Sequence, residues 1–210
     1  MLFLPNSLEF PIGYYGILKA GGTVVAANPL YRQAELKHQL NDALASAIIT
    51  SSELYPLVRE VQAGTRLKAV ILTDAEWGGG TVSLSRILAT YPALPPKLSM
   101  KPREDVAVIV YTGGTTGVSK GVMLTHYNLV ANAIQNATWF GWSNTDIVIG
   151  LLPFYHSWGG STCVNSPVYS GARVIIMPRF DADSFGRHRC CGPQRRFSGT
   201  LDSDGRQRYH

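Results

Sequence analysis

Cysteine is scarce in this 210-residue sequence, as are charged side chains, which make up only 16% of it. Three cysteines cannot all pair, and they show no regular spacing. This excludes a secreted disulfide scaffold and favours a reducing compartment. No stretch of about 20 residues is predominantly apolar, so no membrane-spanning helix is predicted. Residues 1–6 contain no basic segment and no long apolar core, so no signal peptide is predicted either.

The positive net charge of +5 is confined to the end of the chain. Residues 1–185 contain 13 Lys and Arg against 12 Asp and Glu (+1), whereas residues 186–210 contain six Arg against two Asp (+4). The nearly balanced charge of residues 1–185 argues against a nucleic-acid partner for that part of the chain. Between Lys120 and Arg173 the only formally charged residue is Asp146. This pattern favours a buried core around a site, with a peripheral membrane surface as the alternative.

Short apolar runs alternate with stretches of helical spacing, and 45% of the residues are hydrophobic. The alternation predicts an α/β fold with a largely parallel, buried sheet. Ser7 is predicted to cap a helix that carries Phe10 and Tyr14 on one side and stops at Gly21 and Gly22. A proline-containing segment at 90–104 predicts a linker between two lobes. Further strands are predicted at 23–27, 47–50, 70–73, 106–111, 147–152 and 172–177, and further helices at 33–43, between 50 and 70, and from His126.

The strongest signal follows the most apolar predicted strand, where the chain reads YTGGTTGVSKG from Tyr111 to Gly121. Three glycines within five residues let the backbone approach a ligand closely and turn its N–H groups towards one point. Threonine hydroxyls add donors and Lys120 adds a cation, so the string predicts a polyphosphate site. Val118 and Ser119 separate Gly117 from Lys120, which excludes a Walker A loop, and the dinucleotide fingerprint does not occur. The alternative is a flexible surface turn.

The glycine-rich string (residues 111–121) resembles the phosphate-binding signature of the adenylate-forming, or AMP-binding, superfamily. Its continuation VMLTHYNL and three further segments match the same pattern: residues 16–31 with GILKAGGTVV and NPLY, 151–159 with LLPFYHSWG, and 170–181 with SGA and PRFD. The resemblance extends over about residues 1–185 and is strongest to long-chain fatty acid–CoA ligases. One departure is Ser119, where many members carry proline.

The resemblance implies part of the large N-terminal α/β domain of such an enzyme, with largely parallel sheets flanked by helices. It implies ATP-dependent activation of a carboxylic acid, here a fatty acid, through an acyl-adenylate to an acyl-CoA thioester. ATP, Mg²⁺ and coenzyme A are the implied cofactors and co-substrates. The residues that would hold the β- and γ-phosphates are Thr112, Gly113, Gly114, Thr115, Thr116 and Gly117.

The resemblance also assigns roles to residues that follow the string. Lys120 would neutralise part of the phosphate charge, and His156 would orient the attacking carboxylate or offset charge on phosphorus. Tyr155 and Trp158 would form walls of the acid pocket, or belong to the ordinary core. Cys163 is predicted to be a small buried hydrophobe.

Several motifs of the family lie outside this sequence: the adenine and magnesium motif, the ribose-binding aspartate, the hinge and the C-terminal domain, together with the start of the large domain. We therefore expect a fragment that is inactive alone, the alternative being a non-catalytic remnant with weak ATP-phosphate binding. A cytoplasmic location is expected, with membrane-surface contact left open.

Residues 186–210 form a basic tail whose composition departs abruptly from the family pattern, which suggests a frameshifted or disordered segment. Rival interpretations are a nucleic-acid tail or a metal site built on Cys190 and Cys191, although adjacent cysteines do not match zinc-site spacing.

Overall fold

The computed structural model describes residues 1–75, 78–94, 96–112 and 119–178, together with the backbone of 200–201 and 207–208. The strands are β1 (Leu2–Phe3), β2 (Val24–Ala27), β3 (Ala47–Thr50), β4 (Ala69–Leu72), β5 (Thr81–Ser83), β6 (Val106–Thr112), β7 (Lys120–Thr125), β8 (Ile147–Gly150), β9 (Arg173–Ile176), β10 (Thr200–Leu201) and β11 (Gln207–Arg208). The helices are α1 (Glu9–Lys19), α2 (Gln33–Asp42), α3 (Tyr55–Gln62), α4 (Leu84–Thr90), α5 (His126–Phe140), α6 (Ser157–Gly159) and α7 (Ser166–Ser170), with a π-helical turn at Gly160–Asn165.

Seven strands form the main sheet in the order β5-β4-β3-β1-β2-β6-β7. Every neighbouring pair in it is parallel except β6 and β7, which are antiparallel. Strands β8 and β9 form a separate parallel pair, and β10 and β11 an antiparallel one. The predicted α/β fold with a largely parallel sheet is therefore confirmed, and each of the predicted strands is present within one or two residues. Strands β5, β7, β10 and β11 were not predicted.

The central strands β1, β2 and β3 of the main sheet are buried on both faces, as their apolar sequences require. All four residues of β2 are buried, and they alternate between two core clusters. Val25 and Ala27 face the cluster formed with α2 and α3, while Val24 and Ala26 face the cluster that contains Phe10 of α1. Successive side chains of a strand point to opposite faces, so the two clusters lie on opposite sides of the sheet.

The predicted capping role of Ser7 is wrong. Helix α1 begins at Glu9 after Leu8, and the Ser7 hydroxyl is buried without a hydrogen-bond partner. The Ser7 carbonyl instead accepts from the backbone N–H of Phe10 at 3.3 Å. Complete burial of Phe10, at 0% exposure, fixes the start of this helix, so tertiary packing replaces a side-chain cap.

The end of α1 follows the predicted glycine signal. Gly21 adopts a positive φ of 78°, and its N–H donates to the Leu18 carbonyl at 3.0 Å. The N–H of Gly22 donates to the Ile17 carbonyl at 2.9 Å. This pair of bonds is the Schellman arrangement that glycine favours because it lacks a Cβ atom.

The predicted linker at 90–104 joins α4 to β6. A division into two lobes at this segment stays a prediction. The predicted tail, with Cys190 and Cys191, lies outside the described residues apart from the backbone of β10 and β11. Within the described residues, no helix has both the length and the apolar character needed to cross a membrane.

Candidate functional site

The predicted site residues lie where β6 and β8 end. Strand β6 ends at Thr112, where the glycine-rich string continues, and β8 ends at Gly150, just before the segment with Tyr155 and His156. Open parallel sheets bind ligands beyond the carboxyl ends of their strands, and each segment follows such an end, one in the main sheet and the other in the separate β8–β9 pair.

Thr112 and Lys120 face each other across the β6–β7 pair, and both are exposed. The antiparallel course of β7 thus returns Lys120 to the point where the string leaves the sheet. The residues between them that were predicted to hold phosphate lie outside the described residues: Gly113, Gly114, Thr115, Thr116 and Gly117.

A cavity of about 750 Å³ opens on the α5 side of the sheet. Its floor is apolar and comes from β2, β6 and β7 through Ala26, Val108, Val110 and Leu124. One wall is α5, and the other is the segment from Phe154 to Asn165, which supplies Tyr155, His156 and Trp158. The structure therefore brings the three residues predicted to contact the acid to one cavity. None of the described residues lining it is Lys, Arg, Asp or Glu.

The wall segment is tied to the main sheet by Asn6, which is 6% exposed. The Asn6 Oδ1 atom accepts from the backbone N–H of Phe154 at 2.8 Å. Its Nδ2 group donates to the Leu152 carbonyl at 3.0 Å and lies within hydrogen-bond distance of the carbonyl oxygens of Gly150, Leu151 and Met177. One amide side chain thus joins the end of β1 to the ends of β8 and β9. The sequence did not predict this role, and the only signal was an asparagine directly after a buried run.

His156 has a defined tautomer when neutral. Its Nδ1 atom accepts from the backbone N–H of Trp158 at 3.3 Å, so Nδ1 carries no proton and Nε2 does. The backbone N–H of His156 donates to the Pro153 carbonyl at 3.0 Å, which closes a tight turn. A Cβ atom at Gly159 would lie 2.0 Å from that same carbonyl oxygen, so only glycine fits there.

The α5 wall presents a row of amides that sequence reasoning missed. Asn128, Asn132 and Asn136 recur every four residues and all line the cavity. Asn136 Nδ2 donates to Ser161 Oγ at 2.7 Å, and the Ser161 hydroxyl donates to Asn132 Oδ1. These bonds join α5 to the π-helical turn. The four-residue spacing was the available signal.

Two neighbouring tyrosines share one asparagine, and two of these three residues, Tyr14 and Asn165, line the cavity. The Tyr15 hydroxyl donates to Asn165 Oδ1 at 2.9 Å, and Asn165 Nδ2 donates to the Tyr14 hydroxyl oxygen at 3.2 Å. Burial raises the pKa of Tyr14 and of Tyr15 above that of a free phenol. Burial and the neighbouring Tyr31 likewise raise the pKa of Tyr155. These phenols are therefore uncharged near neutral pH.

Comparison with known proteins gives a consistent result. The family model described as AMP-binding enzyme matches residues 1–192. A long-chain-fatty-acid–CoA ligase from Bacillus subtilis is 32% identical over 207 residues, which cover 86% of this chain and 37% of that protein. The crystal structure of a long-chain-fatty-acid–CoA ligase from Archaeoglobus fulgidus aligns with a TM-score of 0.81 at 36% identity, over 90% of this chain and 37% of that one. The structure of ATP-bound MatB from Rhodopseudomonas palustris aligns with a TM-score of 0.74 at 26% identity, over 88% of this chain and 36% of that one. The chain thus spans little more than a third of the length of these relatives.

Proposed function

Because this chain belongs to the AMP-binding enzyme family, we propose that it supplies the triphosphate-binding part and one acid-binding wall of an ATP-dependent acid–thiol ligase. The carboxylate would attack the α-phosphate of ATP to give an acyl-adenylate and pyrophosphate, and the thiol of coenzyme A would then displace AMP. The observation that carries this proposal is the cavity that His156 lines, because its floor comes partly from β6 and β7, the strands that carry Thr112 and Lys120.

The triphosphate is proposed to bind at the glycine-rich string. Thr112, Gly113, Gly114, Thr115, Thr116 and Gly117 would donate hydrogen bonds to the β- and γ-phosphates. Lys120, exposed beside Thr112, would neutralise part of their charge. Phosphoryl transfer gathers negative charge at the phosphates, so positioned donors and cations supply most of the catalysis. The ATP-bound relative of the same fold supports this assignment.

The acid is proposed to enter the cavity between α5 and the segment with His156. Its apolar floor and uncharged walls suit an acyl chain, and the fatty-acid ligases among the relatives support a fatty acid. Tyr155 and Trp158 would contact the chain. In the neutral tautomer, the Nε2–H of His156 would donate to a carboxylate or phosphate oxygen.

Mg²⁺ would accompany the ATP phosphates, where it would neutralise charge. Among the described residues no group of three His, Cys, Asp or Glu side chains is placed to hold a metal ion, so no ligand is assigned to it. We also propose a cytoplasmic location, with contact at a membrane surface as the alternative.

The test uses the purified 210-residue chain in two assays. Equilibrium dialysis with Mg-ATP should show binding, because the string and Lys120 are present. Carboxylate-dependent ATP–pyrophosphate exchange with palmitate should show no turnover, because the chain spans little more than a third of its relatives. Exchange above background would assign catalysis to this chain itself. Binding without exchange would support the proposal that this chain binds the triphosphate but does not catalyse the reaction alone. A folded chain that binds no Mg-ATP would overturn the proposal.

Replacement of Lys120 by alanine should weaken Mg-ATP binding by about tenfold or more, since a hydrogen bond to a charged group contributes about 1.5–3 kcal/mol. The matched control is Lys101→Ala, because Lys101 is an exposed lysine that precedes the amino end of β6, at the opposite edge of the sheet. Its exposed pair with Glu104, at 3.1 Å, contributes little. Equal affinities of the two variants would contradict the role of Lys120.

A further inference from the structure

Both ends of the glycine-rich string are bound to one face of α2. At the end of β6, the Tyr111 hydroxyl donates to Asp42 Oδ2. Directly before β7, the Ser119 carbonyl oxygen lies 3.2 Å from His38 Nε2. A carbonyl oxygen only accepts hydrogen bonds, so His38 must donate from Nε2. His38 and Asp42 are four residues apart and therefore share one face of the helix.

The rings at this contact also pack against one another. The His38 and Tyr111 rings meet edge to face, with centroids 6.3 Å apart and planes at 80°. Gly121, which lies opposite Tyr111 in the β6–β7 ladder, makes this possible. A Cβ atom at Gly121 would stand 3.2 Å from a Tyr111 ring atom and 2.7 Å from a methyl of Ile109. The bare glycine lets the Tyr111 ring lie across β7 towards α2.

Helix α2 is itself a rigid support. Leu36 and Leu40 are completely buried in the core cluster on this side of the sheet. Gln39, 1% exposed, donates from Nε2 to the Tyr31 hydroxyl at 3.0 Å. The helix cannot turn without breaking these contacts, so the spacing between His38 and Asp42 is fixed.

We propose that His38 and Asp42 are positioning residues that hold the two ends of the glycine-rich string at a fixed separation for a bound triphosphate. The proposal rests on the proposed phosphate-binding function. Groups that are already held in place lose less conformational entropy when a ligand binds, so the same contacts give tighter binding. His38 and Asp42 act through Ser119 and Tyr111 and need no contact with the ligand.

The test separates hydrogen bonding from charge. Asp42→Ala and Asp42→Asn remove the same negative charge, but only the asparagine keeps an oxygen that can accept from Tyr111. His38→Gln likewise keeps an N–H donor that His38→Ala lacks. Tyr111→Phe removes a single hydroxyl and serves as the mildest variant. Asn41→Ala, an exposed position on the same helix, is the matched control.

Tripolyphosphate, titrated calorimetrically onto the 210-residue chain, is the probe. We expect Asp42→Ala to bind it about five- to tenfold more weakly than Asp42→Asn, and His38→Ala about five- to tenfold more weakly than His38→Gln, as for loss of one pre-ordered contact. Tyr111→Phe should resemble Asp42→Ala once the charge effect measured with Asp42→Asn is taken into account. Asn41→Ala should bind like the wild type. Equal affinities within each Asp42 and His38 pair would overturn the proposal while leaving the phosphate-binding function intact.

Hydrogen exchange measured without ligand tests independently whether His38 and Tyr111 hold the ends of the glycine-rich string. Peptides that span 111–121 should exchange faster in His38→Ala and Tyr111→Phe than in Asn41→Ala, because a released loop end opens more often. Unchanged exchange in both variants would overturn the proposal. If the wild type binds neither tripolyphosphate nor Mg-ATP, the phosphate-binding function fails, and the exchange rates still establish whether α2 holds the two ends.

Discussion

Asn6 helps to hold one cavity wall in place although it does not itself line the cavity. It is buried, and its amide lies within hydrogen-bond distance of backbone groups of Gly150, Leu151, Leu152, Phe154 and Met177. A buried backbone group that loses its partner costs about 1–3 kcal/mol, so several such groups depend on this one side chain.

Replacement of Asn6 by alanine should therefore lower the free energy of unfolding by about 2–4 kcal/mol, because the Phe154 N–H and the Leu152 carbonyl lose their partner. Urea denaturation followed by circular dichroism measures the change. Asn144→Ala, at an exposed position, is the control and should change stability by less than about 0.5 kcal/mol. A loss below about 1 kcal/mol for Asn6→Ala would show that water replaces the amide.

At the same scale, sequence motifs singled out His156, Tyr155 and Trp158, and all three line one cavity, while their role in binding stays a prediction. They did not locate Asn6, whose partner Leu152 is 146 residues away along the chain. The failed prediction for Ser7 has the same cause. A serine before a helix is a local signal, and packing of Phe10 overrides it.

Among the secondary-structure elements, α5 shows how a local signal succeeds. The Thr125 hydroxyl accepts from the Asn128 N–H at 3.2 Å, and Asn128 Oδ1 accepts from the Thr125 N–H at 3.0 Å. This reciprocal cap starts the helix at His126, as predicted. The same helix carries Asn128, Asn132 and Asn136, which line the cavity, so the cap also helps to position one wall of the candidate site.

Thr125→Ala should destabilise the chain by about 1 kcal/mol, the usual contribution of a side-chain cap. The loss should concentrate in the first turn of α5, where hydrogen exchange of residues 126–130 should accelerate. Thr125→Ser keeps the hydroxyl and should restore most of the stability in urea denaturation. A serine variant as unstable as the alanine variant would mean that the threonine methyl, rather than the cap, matters.

Strand β7 shows where local signals stop. The sequence predicted the glycine-rich string but not the antiparallel strand that follows it. Residues 120–125 pair antiparallel with β6, and the side chains of Val122 and Met123 remain 45% and 67% exposed. Their apolar character alone therefore does not report a buried strand.

For the molecule as a whole, the cluster that includes Tyr14 and Asn165 couples stability to alkaline pH. Burial raises the pKa of Tyr14 and Tyr15 in the folded state, whereas unfolded phenols titrate near 10. The unfolded chain then binds fewer protons than the folded chain above this pH. Stability must therefore fall as the pH rises past about 10.

Tyr15→Phe should reduce this alkaline loss, although it also removes the bond to Asn165 and lowers stability at pH 8 by about 1 kcal/mol. Urea denaturation at pH 8 and near pH 11 measures both effects. Tyr169→Phe, at a tyrosine that is 55% exposed, is the control and should leave the pH dependence unchanged. An identical slope for both variants would show that Tyr15 ionises as easily in the folded chain as in the unfolded one.

The sequence alone determined the alternation of strands and helices, the apolar runs that form a buried sheet, the start of α5 and the glycine-rich string. Each of these depends on neighbouring residues, through backbone conformation, side-chain spacing or burial periodicity. The same local patterns carried the resemblance that the family model later confirmed.

Only the tertiary structure decided which distant residues meet. His38 reaches Ser119 across 81 positions, Tyr15 reaches Asn165 across 150, and Asn6 joins the main sheet to β8 and β9. Such contacts depend on the order of strands in the sheet, and this order follows from the packing of the whole chain. No single segment encodes it, because the free energy that favours one strand order is shared among all the elements that the order buries.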